Sequence, residues 1–373
     1  MDGHIFSFSP DRAIHVDPSC NETLIYDDQS AKRTRMNLED PAGAVNVPGA
    51  PAIPGLAFRL FRGESDFPAM VAVVDAVSDA DQLEFTVTVE DFAREFRHME
   101  NCDPREDHLF AEVRGDVVGY CETWWAKAPE GTYPYNHRIY LIPHWRGKGI
   151  CEAMLRRSER RLRELSKTNP KDGPRFFQSL IEETESDLVS ALERAGYTVY
   201  RYGLRLVRPD LENVPDLPLP EGIEVRPVKP EHYRAVIDAW NEACKDMRSQ
   251  VPISDETFAV WREQPSFDPS MWQIAWHGDE VVGTVMNFVD AEDNEKYHRK
   301  RGHPEMISVK RGWRRMGIAR ALLAKSLKVL KGRGMTEAAL GVDAENPSGA
   351  RHLYEGMGFR VVRRAVFYRK PMD

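Results

Sequence analysis

Few features of this 373-residue chain fit the more specialised protein classes. Its five cysteines, Cys20, Cys102, Cys121, Cys151 and Cys244, are scattered, odd in number and form no CxxC pair. That argues against a disulfide framework and a cysteine-rich zinc site, and suits a reducing compartment. No apolar run approaches the roughly 18–20 residues of a membrane span, so no membrane helix is expected. The stretch Met1 to Ser19 has no basic segment leading into an apolar core. A secretory leader is therefore not expected, and a cytoplasmic location is. Positive charge is not in surplus: 51 Lys and Arg stand against 59 Asp and Glu, a formal charge of −8 that gives no global drive toward nucleic acid. The eleven histidines show no HxxxH spacing with a matching carboxylate, so no metal is expected. What remains is a soluble globular composition whose length suggests two domains, at roughly 100–200 residues each.

The chain repeats itself. Phe58 to Phe67 has a counterpart in Glu224 to Tyr233, and each reads as a strand, a turn and an apolar-periodic helix. The helical residues are Met70, Val73, Val74 and Val77 in one copy, and Val236, Ile237 and Trp240 in the other. Ala111 to Gly119 resembles Ile274 to Gly283, a hairpin pattern with Gly-Asp at the tip. His144 to Leu155 matches Gly312 to Leu323, and Ala191 to Tyr197 matches Leu353 to Phe359. The order is kept throughout, which predicts two similar α/β domains with mixed sheets rather than a solenoid. Four prolines between Arg208 and Gly222 deny that stretch helix and central strand, so it reads as an extended linker. The expected division is an extension at 1–55, a first domain at 56–207, the linker at 208–222 and a second domain at 223–373. The extension matches neither copy, and two placements stay open: a mobile arm, or one packed on the first domain.

The second copy carries the stronger chemical pattern. Met306 to Val309 is a β-prone run, followed by the basic turn Trp313 to Ala319. A helical pattern comes next, with Ala319, Leu323, Leu327 and Leu330 on one face and Ile318, Leu322 and Val329 beside it. Unpaired amides and the dipole make such a helix start an anion site, and Gly317 lets a phosphate approach the backbone. Between Arg299 and Arg333 there are twelve Lys or Arg and one acid, Glu305. Downstream, Asn346 suits an N-cap, Pro347 the first helical position and Gly358 the left-handed stop. Ala350, Leu353, Tyr354 and Met357 share a face between them.

Arg314-x-x-Gly317-x-Ala319 resembles the pyrophosphate-binding signature, Gln/Arg-x-x-Gly-x-Gly/Ala, of the GNAT N-acetyltransferase superfamily. The helix from Asn346 to the Gly358-Phe359 pair is similar to that family's C-terminal coenzyme motif. The resemblance covers Ile223 to the end and, more loosely, Leu56 to Val207. It implies two tandem GNAT-like domains and transfer of acetyl from acetyl-CoA to an amine. It implies that Arg314, Arg315, Met316, Gly317, Ile318 and Ala319 bind the coenzyme together with Asn346. It also implies that backbone amides of Ile307, Ser308 and Val309 polarise the thioester and hold the pantetheine arm, and that Tyr354 contacts the coenzyme sulfur and protonates it. A phenol with a pKa near 10 is protonated at neutral pH and can donate. For the general base, Glu305 is placed first: regular alternation puts it on one side with Ile307 and Val309. His303 is second and a water chain third.

The first copy keeps Arg146 and Gly149 but has Cys151 opposite Ala319, Leu192 opposite Tyr354 and Thr184 opposite Asn346. It reads as degenerate, with coenzyme binding left open. Trp124, Trp125, Trp261, Trp272 and Trp276 read as packing residues. The two-domain plan is also similar to that of mycothiol synthase, a hint at a small thiol-precursor amine. The competing class is a non-catalytic acyl-CoA-binding regulator, against which Tyr354 argues. A small-molecule or peptide amine is the expected partner, with no nucleic acid and no membrane; the acyl-chain length and the oligomeric state are left open.

Overall fold

The computed structural model describes residues 44–99, 101–128, 131–169, 172–245, 252–346 and 349–372. The first half runs β1 (Leu56–Leu60), α1 (Phe67–Asp81), α2 (Val89–Arg97), α3 (Pro104–Asp107), β2 (His108–Val113), β3 (Asp116–Trp125), β4 (Tyr133–Leu141), α4 (Ile150–Thr168), β5 (Arg175–Glu182), α5 (Ser186–Arg194) and β6 (Thr198–Arg208). The second runs β7 (Ile223–Val225), α6 (Tyr233–Cys244), α7 (Asp255–Arg262), β8 (Gln273–His277), β9 (Glu280–Phe288), α8 (Ala291–Lys296), β10 (Arg301–Val309), α9 (Ile318–Gly332), β11 (Glu337–Asp343), α10 (Ala350–Gly356) and β12 (Arg360–Pro371). The mixed α/β class expected from the repeat is what forms. No helix among the described residues is long and apolar enough to cross a membrane.

All twelve strands join one sheet, in the order β1-β2-β3-β4-β5-β12-β6-β11-β10-β9-β8-β7. Its centre is an exchange. The last strand of the chain, β12, lies between β5 and β6 of the first half, and β6 lies between β12 and β11 of the second. Nothing local in the sequence signals this, because any apolar strand with two free edges can accept either partner. The pairing does explain why both strands are long: β12 bonds from Ala365 to Pro371 on one side and from Arg360 to Arg369 on the other.

The helices cover two faces. On one, α4 packs with Leu155 and Leu162 against Ile181 and Val366, and α9 packs with Leu323, Leu327 and Leu330 against Leu206 and Leu340. On the other, α1 buries Met70, Val73, Val74 and Val77, and α6 buries Val236, Ile237 and Trp240. Trp261, Trp272 and Trp276 are buried in the same cluster as Trp240, as core residues. The hairpin turns differ by one residue. The second turns at Gly278-Asp279, whereas the first turns at Arg114-Gly115, since Val113 already pairs with Asp116.

Two irregular stretches are docked. No helix or strand lies between Arg208 and Ile223, yet Leu211, Val214 and Leu217 pack on the α9 side, and Asp216 and Glu212 take Lys328 and Lys331. The described part of the N-terminal extension is packed on the first half. Val45 bonds to Phe58, Val47 enters the core, and the Gly49 carbonyl accepts from Arg156 at 2.7 Å.

The exchange predicts interdependence. Residues 223–373 made alone should aggregate or remain poorly folded, because β12 would leave β5 and β6 and expose two bare edges. Co-expression with residues 1–222 should restore a soluble complex, measurable by size exclusion and circular dichroism. A stable monomeric second half would overturn this expectation.

Candidate active site

The second half's site begins where two parallel strands part. β10 and β11 pair only at Arg301 with Glu337 and Gly302 with Ala338. Beyond that fork, β11 stays hydrogen-bonded to β6 and β10 to β9. A slot therefore opens between β10 and β11, edged by backbone groups that an extended amide-bearing chain can pair with.

A β-bulge marks β10 at this point. Its register with β9 passes from Glu305 opposite Met286 to Ser308 opposite Thr284, so two residues face one. Met306 is left-handed there, at φ 51°. The distortion is held from β9: the Thr284 hydroxyl donates to the Met306 carbonyl at 2.6 Å and lies 2.8 Å from the Ser308 hydroxyl. No glycine announces the bulge, so the sequence alone predicts regular alternation here.

That expectation fails for Glu305. Gly302 faces Leu330 of α9, so His303 and Glu305 point to the opposite, α6 side, where Met286 and Phe288 lie. The bulge then resets the alternation, and Ile307 and Val309 pack with Ile318 and Leu322 on the α9 side. Glu305 and Ile307 thus face opposite sides of the sheet. Both Glu305 and His303 are buried. Burial, with the charges of Arg301, Arg299 and Arg205, pushes the His303 imidazole down to about 3. It is neutral near pH 7 and a weak base.

After β10 the chain turns through Arg315, left-handed at φ 66°, to Gly317 at φ 84°, and α9 starts at Ile318. The first hydrogen bond into the helix is Ala321 to the Gly317 carbonyl, so the amides of Ile318, Ala319 and Arg320 lie ahead of the ladder. No atom lies within 4 Å of a Cβ built on Gly317, so the backbone is open there. Met316 is exposed. The Arg314 side chain points inward: its Nε donates to the Val309 carbonyl at 3.1 Å and its Nη2 to the Ala243 carbonyl at 2.8 Å. It ties the turn to β10 and α6, so Arg314 is committed to backbone carbonyls, whereas Arg315 beside it is exposed.

The distal helix begins later than its sequence suggests. Gly349, left-handed at φ 75°, caps α10, and Asn346 sits three residues upstream, accepting from the Gly349 amide at 3.4 Å. Pro347 lies outside the described residues. The stop is as expected, with Gly358 at φ 86° and the Phe359 amide returning to the Tyr354 carbonyl. Ala350, Leu353, Tyr354 and Met357 do share the packed face. Tyr354 is 7% exposed, its ring meets Phe359 at 6.2 Å, and Ile307 packs on the same cluster. Among the described residues its hydroxyl has no hydrogen-bond partner, and burial pushes its pKa above the ordinary value.

The first half has the same turn in different surroundings. Gly149 caps α4 at φ 84° and ψ −1°, the values at Gly317. However, a Cβ on Gly149 would lie 3.4 Å from Pro51, so the N-terminal arm covers the turn. β4 pairs with β3 without a bulge, from Gly119–Leu141 to Trp125–Tyr135. Counting back from the matched turns, and allowing for the bulge residue, Arg138 stands where Glu305 stands. Its guanidinium crosses toward β5, donating to the Leu180 carbonyl at 3.2 Å and to both oxygens of buried Glu185, Nη1 to Oε2 at 2.9 Å. Leu192 is buried in the core opposite Tyr354, and burial, then Glu152 and Asp187, pushes the Cys151 thiol up to about 12. Arg146 repeats the Arg314 bond to the strand, here to the Leu141 carbonyl at 3.0 Å, and also chelates Asp81.

A pH dependence follows from two buried histidines. His137, whose Nε2 is 2.9 Å from the Tyr197 hydroxyl, is pushed down to about 3 by burial, then by Arg138 and Lys370. His303 behaves alike. Below pH 6.5 the unfolded chain takes up these protons while the folded one does not until about pH 3. Stability is thus full above pH 6.5 and falls toward pH 3. Melting temperatures between pH 7 and 4 should show this slope, and His137→Gln should flatten it.

The comparisons with known proteins agree with this geometry. The model of the acetyltransferase (GNAT) family matches residues 74–169 and 235–359, more than half of the chain. Among similar proteins, the mycothiol acetyltransferase of Streptomyces scabiei is 29% identical over 276 residues, spanning 71% of this chain and 81% of its own length. That of Streptomyces bingchenggensis is 28% identical over 275 residues, spanning 70% and 80%. Among solved structures, a GCN5-related N-acetyltransferase from Sphaerobacter thermophilus superposes with a TM-score of 0.65 at 24% identity, over 85% of this chain and 95% of that one. A tandem GNAT protein from the clavulanic acid biosynthesis pathway superposes at 0.61 with 15% identity, over 85% and 98%. The fold is therefore shared with both, and the chain belongs to the acetyltransferase (GNAT) family, as a tandem acetyltransferase that uses acetyl-CoA.

Proposed function

We propose that the second half transfers acetyl directly from acetyl-CoA to an amine, and that each chain holds one acetyl-CoA. One observation carries this reading: the open turn at Gly317, the slot between β10 and β11 and the buried Tyr354, whose hydroxyl has no hydrogen-bond partner among the described residues, come together in the second half. In the first half the corresponding turn is covered by Pro51 and Arg138 bridges to Glu185.

The residues support the following roles. Amides at the start of α9 hold the pyrophosphate, where the dipole favours negative charge. The freed backbone of Ile307, Ser308 and Val309 lines the slot and stabilises charge on the thioester oxygen. The amine nitrogen attacks the thioester carbon, and its proton leaves to Glu305, directly or through water. As the carbon–sulfur bond breaks, Tyr354 gives its proton to the sulfur. Holding both reactants in one slot removes the entropic cost of their encounter. His303, neutral and poorly basic, does not compete for the amine proton. We infer a small-molecule amine as acceptor, supported by the relatives named mycothiol acetyltransferases; a thiol-precursor amine is one candidate of that kind.

Titration calorimetry with acetyl-CoA should give one site per chain, and Gly317→Glu should abolish binding by placing bulk and negative charge at the turn. Gly149→Glu should leave binding unchanged. Two sites, or loss of binding in Gly149→Glu, would reject the assignment of the two halves.

Tyr354→Phe should lower kcat by about ten- to a thousandfold while acetyl-CoA affinity stays within about threefold. The hydroxyl has no partner among the described residues, so its removal should cost little stability. Unchanged kcat would remove Tyr354 from the reaction.

A further inference from the structure

The fork that opens the slot is clasped by a residue from the other half of the chain. Arg301 is the first paired residue of β10, and its Nε donates to Glu337, its own partner on β11, at 2.7 Å. The same guanidinium donates through Nη1 to Glu84 at 2.9 Å. Glu84 belongs to the loop after α1, in the first half. It also accepts from Arg299 at 2.8 Å and lies 3.7 Å from Arg363 of β12. The Arg301 backbone is fixed as well, since its amide and carbonyl both bond to the Asn294 side chain.

The loop is built to hold this position. Gln82 and Glu84 are both left-handed, at φ 54° and 60°, a conformation that non-glycine residues adopt at a cost. Contacts from the second half keep it there. Arg363 donates to the Leu83 carbonyl at 2.6 Å, Tyr297 to the Phe85 carbonyl at 3.0 Å, and the Thr86 amide donates to Asp293 at 2.8 Å. Partial burial works to raise the Glu84 pKa, but the Arg301 hydrogen bond and the charges of Arg301, Arg363 and Arg299 hold it below the ordinary value.

We propose that Glu84 is a positioning residue for the acetyl-CoA slot of the opposite half, fixing where β10 and β11 part through Arg301 and Glu337. The proposal rests on the reading of that slot given above. Only two residue pairs join the strands at this fork, against four at the matching fork of β4 and β5, so the side-chain clasp carries more of the second fork. Without the Glu84 charge, Arg299, Arg301 and Arg363 would repel one another, Arg301 would swing from Glu337, and the slot would lose its fixed width.

The test is steady-state kinetics and acetyl-CoA calorimetry on the full chain. Glu84→Gln should raise the KM and Kd for acetyl-CoA about tenfold while kcat changes by less than about twofold. Glu337→Gln, which breaks the other end of the clasp without touching the contact between halves, should do the same. Asp75→Asn, which weakens a separate contact between halves, from Lys296 to Asp75 at 2.6 Å and Asp79 at 3.9 Å, should leave KM unchanged. Unaltered KM in both Glu variants, or an equal rise in Asp75→Asn, would overturn the proposal. If the parent chain binds no acetyl-CoA at all, the reading of the slot fails instead.

Discussion

The pairing of β12 between β5 and β6 is the constraint from which the active-site geometry follows. Because β6 is in turn bonded to β11 from Gly203 to Arg208, one wall of the slot is fixed by a strand of the first half. β10 is free to diverge only because β11 is held on its other side. A lone second half would have to find β11 a different neighbour, so the exchange does more than join two units. It sets the position of the edge against which the slot opens, so the first half helps to build that slot.

The two halves set the same turn geometry in different surroundings. Gly149 and Gly317 have the same dihedral angles, and each starts a long helix. The angle is required by the strand-to-helix turn itself, where glycine avoids the Cβ clash. Capacity for a ligand depends on the surroundings: Pro51 beside one glycine and open space beside the other. A bulge in β10 and none in β4, and Glu305 against Arg138, complete the difference. The Arg138–Glu185 pair is largely withdrawn from solvent, at 12% and 3% side-chain exposure, so removing one partner would strand a charge.

The sequence was most readable where one residue type has one structural use. Periodic apolar residues placed α1, α6 and α9, and the glycines placed the turn at Gly317 and the stop at Gly358. It was least readable where several residues could serve or where the decision was remote. Gly349 took the cap that Asn346 also suited. Met306 entered the left-handed region without being glycine, and with it the facing of Glu305 reversed. The exchange of β6 and β12 depends on partners more than a hundred residues away, beyond any local pattern. The Pro51 cover was equally hidden, since proline in an irregular arm says nothing about what it lies upon.

The reversal at the bulge has a chemical consequence. Tyr354 packs among Leu323 and Leu327 on the α9 side, whereas Glu305 shares the α6 side with Met286. A phenol and a carboxylate in contact within a poorly solvated pocket would share a proton, and each would be less fit for its own role. The sheet keeps them on opposite faces, and the fork between β10 and β11 is where those faces communicate. Under the roles proposed for Tyr354 and Glu305, a thioester entering from the α9 side and an amine from the α6 side would meet in that gap, the departing sulfur next to the proposed acid and the attacking nitrogen next to the proposed base. The bulge gives this arrangement with one extra residue, by turning Glu305 away from the side on which the coenzyme turn lies.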